Sequence, residues 1–261
     1  MACRVRVKEV CLDDELHSVS TASQFTKLVL CYPACSSEVF YERQRAILNI
    51  GVTHFINYGE RLIKGYRVLG KGYSSITALT LHEGEVKAVK VRRVDSRRKS
   101  LELEAVFLEY LSPLGLAPRV YAWTKDFIVM EYISGIPLDE YVSNEVDRGN
   151  IVEARRILSR ALVKAYLLDL TGVDHGELNR PGSHVMVFKD DVVFIDFESA
   201  SYSRKTVNFT SLASHFLIRS SLRSRIVCSS YDFEKILTKL RLYSQSRDLH
   251  SVREVLELLE C

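Results

Sequence analysis

Residues 3–10 alternate, with Cys3, Val5 and Val7 set against Arg4, Arg6 and Lys8, and this period of two predicts a half-buried strand. Helical stretches follow at roughly 18–31 and 36–50, the second opening at Ser36-Ser37-Glu38. Pro33 separates them because its ring removes a helical N–H. From Tyr66 the period shortens again. Segments 66–70, 76–82 and 86–92 read as three strands, the last two joined across a tight turn at Glu83-Gly84. A helix from about 97 to 111 draws apolar faces from Leu101, Leu103, Val106, Leu108 and Leu111, and Pro113 and Gly115 end it. Two more strands, 119–123 and 127–132, flank a turn at Lys125-Asp126.

After Gly135-Ile136-Pro137 the pattern turns helical. Ile151, Ala154, Ile157, Leu158, Ala161, Leu162, Ala165 and Leu168 form one long amphipathic stripe, closed by Gly172. Short strands at 185–188 and 192–196 enclose the turn Lys189-Asp190-Asp191, and two or three helices fill the rest from about 208. A sheet-rich half with one helix, then a helical half, predicts an α+β plan in two lobes. The stretches are an N-terminal extension of strand and helices (1–60), a first lobe (61–133) and a reduced helical second lobe (134–261).

Composition changes this picture little. The 261 residues are 47% hydrophobic, which supports a real core, and the net charge of +3 is too small to announce a nucleic-acid binder. No run approaches 18 apolar residues, and the N-terminus has no apolar signal core, so a cytoplasmic protein without membrane contact is expected. Such a protein needs no disulfides. Cys31 and Cys35 are the only close pair among six cysteines, and C-x3-C without a second pair does not make a metal site, so the cysteines read as structural or incidental thiols. Asn208-Phe209-Thr210 matches a glycosylation sequon that a cytoplasmic chain never presents to the enzyme.

The candidate chemistry is ordered along the chain. Gly70-Lys71-Gly72-Tyr73-Ser74-Ser75 lies between two strands, where glycines let backbone approach phosphate oxygens. In Ala88-Val89-Lys90 the alternating frame puts Lys90 on the same face as Ala88, and an inward lysine needs a partner or an anionic ligand. Glu104 on the next helix can be that partner, with Glu102 its rival; the lysine itself should contribute little to the core. Ile128-Val129-Met130-Glu131-Tyr132 passes from an apolar strand into a linker whose backbone could pair with adenine while Met130 lines the pocket. Finally, His175-Gly176-Glu177-Leu178 and Phe194-Ile195-Asp196-Phe197-Glu198 each end an apolar segment on an acid. Phosphoryl transfer wants one carboxylate near the attacking hydroxyl and another on the metal.

Over residues 66–201 these motifs resemble the atypical protein kinases: the RIO kinases, the small kinase of the KEOPS tRNA-modification complex and, most of all, an archaeal group of predicted serine/threonine kinases related to them. The resemblance implies a protein-kinase-like fold with a reduced C-lobe, ATP as substrate, and Mg²⁺ or Mn²⁺. It implies that Gly70, Gly72 and Ser75 cover the phosphates, that Lys90 holds them and Glu104 orients Lys90. The hinge would run from 131 to 135, with Met130, Glu131 and Ile133 at the nucleotide, Glu177 would stand for the catalytic aspartate and Asp196 for the metal-binding one.

The sequence departs from the pattern in places. Ser75 stands where the third glycine belongs, and Glu177 is one methylene longer than aspartate. The asparagine of the second metal falls on Gly182, which leaves His184 or Asn179 to substitute, and Glu198 replaces the glycine after Asp-Phe. No Ala-Pro-Glu follows, and only about 60 residues remain for a substrate platform. The first expectation is a serine/threonine kinase acting on a protein hydroxyl, or on itself. The alternatives are a small-molecule kinase of the aminoglycoside or choline type and a weakly active ATPase or nucleotide-binding interaction module. Arg92, Arg93, Arg97, Arg98 and Lys99 would give such a module a basic face for RNA-associated machinery.

Overall fold

The computed structural model describes residues 5–7, 10–228 and 232–260. The chain divides into two compact units, Met1–Ser112 with Pro118–Tyr132, and Pro113–Ala117 with Ile133–Cys261.

In the first unit, strands β1 (Arg6–Val7) and β2 (Val10–Cys11) pair antiparallel, so the single strand expected over 3–10 takes in parts of two strands; residues 3, 4, 8 and 9 lie outside the described residues. Strand β3 (Leu16–Ser18) then precedes helix α1 (Gln24–Cys31). The helix starts later than its pattern suggests because Ser23 caps it, its hydroxyl accepting the Thr26 N–H at 3.1 Å. Helix α2 (Ser37–Asn49) opens where expected, with Ser36 Oγ accepting from the Val39 N–H. Strand β4 (Val52–Ile56) has no counterpart in the sequence reading. Neither does β5 (Arg61–Ile63), which turns through Lys64 and Gly65, both at positive φ, into β6 (Tyr66–Val68).

Strands β7 (Gly70–Lys71), β8 (Ser75–His82) and β9 (Glu85–Arg92) follow, with Glu83 at φ 51° and Gly84 at φ 80° forming the tight turn expected there. Helix α3 (Glu102–Leu111), β10 (Val120–Trp123) and β11 (Phe127–Met130) complete the unit. Seven strands make one antiparallel sheet in the order β10-β11-β9-β8-β4-β3, with β7 also paired to β8. On one face Val89, Val91, Ile76, Ala78, Phe127 and Val129 pack with Phe25, Phe40 and Ile47 of the N-terminal segment. Because the side-chain period of a strand is two, burying Val89 and Val91 there commits Ala88 and Lys90 to the opposite face.

Two expectations are corrected in this unit. Helix α3 begins at Glu102, not near 97, because the Arg98 carbonyl is taken by Arg92 Nη1 (3.2 Å) and the Arg98 N–H by Ser96 Oγ (3.1 Å). Its buried face is Glu104, Ala105, Phe107, Leu108 and Leu111, while Leu103 and Val106 are exposed. Cys31 and Cys35 are joined in a disulfide rather than standing as thiols. The bend through Pro33 brings their Cα atoms to 5.2 Å, inside the range a disulfide spans. Cys11 in this unit and Cys228 in the other are each in a disulfide too, not standing as thiols.

The second unit opens with β12 (Ile136–Pro137), α4 (Leu138–Asp147) and α5 (Ile151–Leu170). The α5 stripe is buried as its periodicity predicts from Ala154 to Leu168, whereas Ile151 at the helix start is only partly covered. Strands β13 (Val185–Phe188) and β14 (Asp191–Phe194) turn through Lys189 and Asp190, both at positive φ, and β12 pairs with β13. A Cβ on Gly135 would lie 2.3 Å from the Val187 carbonyl oxygen, so strand packing alone demands glycine there. Helices α6 (Asn208–Ser214), α7 (Arg223–Ile226), α8 (Phe233–Ser246) and α9 (Leu249–Leu256) follow. Among the described residues, no helix is long and apolar enough to cross a membrane.

Candidate functional site

Each unit carries part of the predicted chemistry. In the first, Lys90 is paired in register with Thr77 on β8 and Ile128 on β11, which places it mid-sheet. Its side chain is 4% exposed and its Nζ lies 2.6 Å from Glu104 Oε1, itself 3% exposed. Glu104 is thus the partner, and Glu102 faces solvent. A lysine this deeply buried is part of the core's electrostatic balance, which corrects the expectation that it contributes little there.

The glycine loop is closed by its own backbone, the Gly72 N–H donating to the Ser75 carbonyl at 2.9 Å. Arg93 braces it, donating from its N–H to the Ser74 carbonyl (2.8 Å) and from Nη1 to the Gly72 carbonyl (3.1 Å). A Cβ on Gly70 would meet nothing nearer than Thr77 Cβ at 4.0 Å, so packing does not demand glycine and the backbone is open to an approaching group. Ser75 is buried, and so is Ser74, whose Oγ has no hydrogen-bond partner. Met130 pairs with Ala88 across β9. The Glu131 N–H donates to the Arg119 carbonyl at 2.8 Å, leaving only its own carbonyl for a ligand. Ile133 is half-buried and begins the second unit. Of the basic cluster, Arg92 is engaged by Asp126 (2.5 Å) and Arg93 by Asp95 (2.6 Å).

In the second unit two loops are stitched together. Asp174 and Ser201 exchange backbone hydrogen bonds at 2.9 Å each way. Arg204 spans the same loops, with Nε on Asp174 Oδ2 (2.8 Å) and Nη2 on the Ser199 carbonyl. Gly176, at φ 89°, sits so close that a Cβ would come within 2.8 Å of the Ser199 carbonyl oxygen. Asp196 adopts a left-handed conformation (φ 65°, ψ 70°), a strained state for a non-glycine residue that persists only where its surroundings enforce it, and a 3-10 turn over Phe197–Ser199 follows. The Ile195 N–H donates to the His184 carbonyl at 2.9 Å, bringing His184 beside the acid.

These constraints gather Glu177, His184, Asp196 and Ser199. His184 Nε2 lies 2.8 Å from Glu177 Oε2, and its Nδ1 lies 4.0 Å from Asp196 Oδ2. Ser199 Oγ donates to Glu177 Oε1. Behind them His175 is fully buried, its Nε2–H on the Ile195 carbonyl at 3.1 Å, and burial pulls its pKa down to about 4, with His184 adding to the effect. Asn179 is exposed, lends its carbonyl to Arg219 Nη2 (2.7 Å), and lines a cavity of about 290 Å³ with Asp174, Gly176 and Arg204. Among the described residues, no three His, Cys, Asp or Glu side chains form a ready-made metal cluster.

A family model described as the RIO domain matches residues 49–213, more than half of the chain. The chain belongs to the RIO family. The match opens just ahead of β4, so the domain takes in a strand that the motif-bearing stretch 66–201 leaves out. No curated protein matches the chain. Membership of the RIO family implies an ATP-binding phosphotransferase of the atypical protein kinase class, built from an antiparallel sheet and a helical C-terminal part.

Sequence reasoning missed two residues at this RIO site. Ser199 was visible only as part of the string after Asp196, because a serine in a turn carries no signal of its own. Asn208 matched a sequon, yet it is 1% exposed and holds the Glu177 loop from behind, with Oδ1 accepting the His175 N–H (2.9 Å) and Nδ2 donating to the Val173 carbonyl (2.7 Å).

Proposed function

We propose that this RIO-family chain transfers the γ-phosphoryl group of ATP to a serine or threonine hydroxyl, on a protein partner or on itself. The observation that carries the reading is the buried Lys90–Glu104 pair on the sheet face opposite the N-terminal helices. A lysine buried on a carboxylate at this place in the order of motifs is the arrangement that suits a group holding the α/β phosphates, and this supports the reading. Gly70 and Gly72 cover the phosphates, Gly70 with open space about it, Ser75 closes the loop, and Met130, the Glu131 carbonyl and Ile133 receive the base. Glu177 takes the proton of the attacking hydroxyl as the bond from its oxygen to the γ-phosphorus forms and the bond to the β–γ bridging oxygen breaks, with ADP leaving.

A divalent cation, Mg²⁺ or Mn²⁺, suits the oxygen donors present. Asp196 offers a carboxylate whose side chain is 41% exposed, the open, partly hydrated setting in which such ions keep their waters. Bound there, the ion would neutralise phosphate charge. Asp196 would hold it, with His184 or Asn179 as further donors.

The test is a pair of measurements on the full chain: thermal unfolding with millimolar ATP and MgCl₂, and transfer of labelled γ-phosphate. Ligand binding to the native state raises the midpoint by mass action, and Asp196→Asn should remove the metal-dependent part of that rise together with transfer. A midpoint indifferent to ATP and metal would sink the reading. A rise without transfer would leave a nucleotide-binding module.

A further inference from the structure

The structure assigns Ser199 and His184 to a clamp that positions the Glu177 carboxylate. This inference deepens the proposed reaction and rests on it for the role of Glu177. The two donors take one oxygen each, Ser199 Oγ–H on Oε1 and His184 Nε2–H on Oε2 at 2.8 Å. Neither donor is free to drift. Ser199 is fixed by the turn after the left-handed Asp196, by Arg204 on its carbonyl and by the close approach of Gly176. His184 is fixed by the Ile195 N–H on its carbonyl, by its own N–H on the Pro181 carbonyl (2.6 Å), and by its ring packed edge-on against His175 at 5.7 Å.

The clamp answers a problem that glutamate creates. Its side chain has one more rotatable bond than aspartate, so it loses more rotamer entropy when it is ordered. A base displaced by about 1 Å can lose about 10²-fold in rate. Donors at both oxygens fix the carboxylate plane before substrate arrives. They use about two of its four lone-pair sites, so an acceptor hydroxyl still finds a lone pair. Ser199 and His184 are therefore positioning residues, acting through Glu177.

The test combines Ser199→Ala, Ser199→Thr and His184→Gln with Glu177→Gln, in the full chain. Ser199→Ala should lower kcat about 10-fold or more with KM for ATP unchanged, and Ser199→Thr, which keeps the hydroxyl, should recover most of the loss. On the Glu177→Gln background Ser199→Ala should cost no further rate. The parent, Ser199→Ala, Glu177→Gln and the double variant give a thermal-unfolding cycle that reads the Ser199–Glu177 coupling without any activity. Should the parent transfer no phosphate, the kinase reading falls, while coupled midpoints would still uphold the clamp. Additive midpoints together with wild-type kcat in Ser199→Ala overturn the clamp and leave the kinase reading standing. Phosphate found on Ser199 by mass spectrometry would also overturn it, since the serine would then be an acceptor.

Discussion

Lys90 and Glu104 meet at 2.6 Å with both side chains almost sealed from water, although they come from different elements, β9 and α3. Removing one member of a buried pair strands the other in low dielectric, at about 3–5 kcal/mol. Glu104→Ala should therefore lower the unfolding free energy by an amount of that order in urea titration. Glu102→Ala, two residues away on the exposed side, should stay within about 0.5 kcal/mol of the parent. Equal effects at the two positions would refute the pairing.

His175 makes stability depend on pH. Its folded pKa of about 4 lies below the ordinary 6.5, so between these values the unfolded chain binds a proton that the folded one refuses. The contribution is fully present above 6.5 and is lost as pH falls toward 4, amounting to about 3 kcal/mol at 1.36 kcal/mol per pH unit. The difference in unfolding free energy between the parent and His175→Phe should shift by that order between pH 7 and 4. A difference that stays constant with pH would show that His175 does not stay neutral in the fold.

Glu177→Gln should cut phosphoryl transfer by about 10²–10⁴-fold with ATP affinity little changed, the scale of a general base. Glu177→Asp keeps the chemistry but retracts from both Ser199 and His184, so it should also be slower than the parent. Steady-state rates decide this. An aspartate variant faster than the parent would mark Glu177 as a degraded base, and a glutamine variant at full rate would make it a structural carboxylate.

Local signals made the central sheet legible. The alternation that placed Lys90 on the face of Ala88 survives in the register Thr77–Lys90–Ile128, and the Glu83-Gly84 turn needed only its two residues. What escaped depended on distant partners. Strand β4 is five residues with an interrupted pattern, and it becomes a strand only because β8 offers an edge. Leu103 and Val106 look like core by composition, but Glu104 sets the helical phase and turns them outward. The site followed the same rule. Glu177 and Asp196 were readable from their segment ends, whereas Ser199 and His184 reach Glu177 only through the Asp174–Ser201 and His184–Ile195 backbone bonds.

Asn208 offers the most discriminating test of how the Glu177 loop is held. Its amide closes two buried hydrogen bonds on the strand of chain leading to Gly176, while its own N–H is tied to Asp169 Oδ1 at 2.9 Å. Asn208→Ala leaves the His175 N–H and the Val173 carbonyl without partners, each worth about 1–3 kcal/mol when buried. The variant should be measurably less stable, and turnover should fall with KM for ATP unchanged, because the loop carrying Glu177 is loosened while the glycine loop is untouched. Asn208→Asp is the sharper substitution. It keeps the oxygen that accepts from His175 but replaces the donor to Val173 with a second acceptor, and it adds a carboxyl close to Asp169, whose pKa burial already pushes up. Two acceptors facing each other in a buried site repel, so the aspartate variant should be less stable than the alanine one despite being nearly the same shape as the parent. If urea titration ranks Asn208→Asp equal to the parent, the bond to the Val173 carbonyl contributes nothing and the loop is held by Asp174 and Arg204 alone.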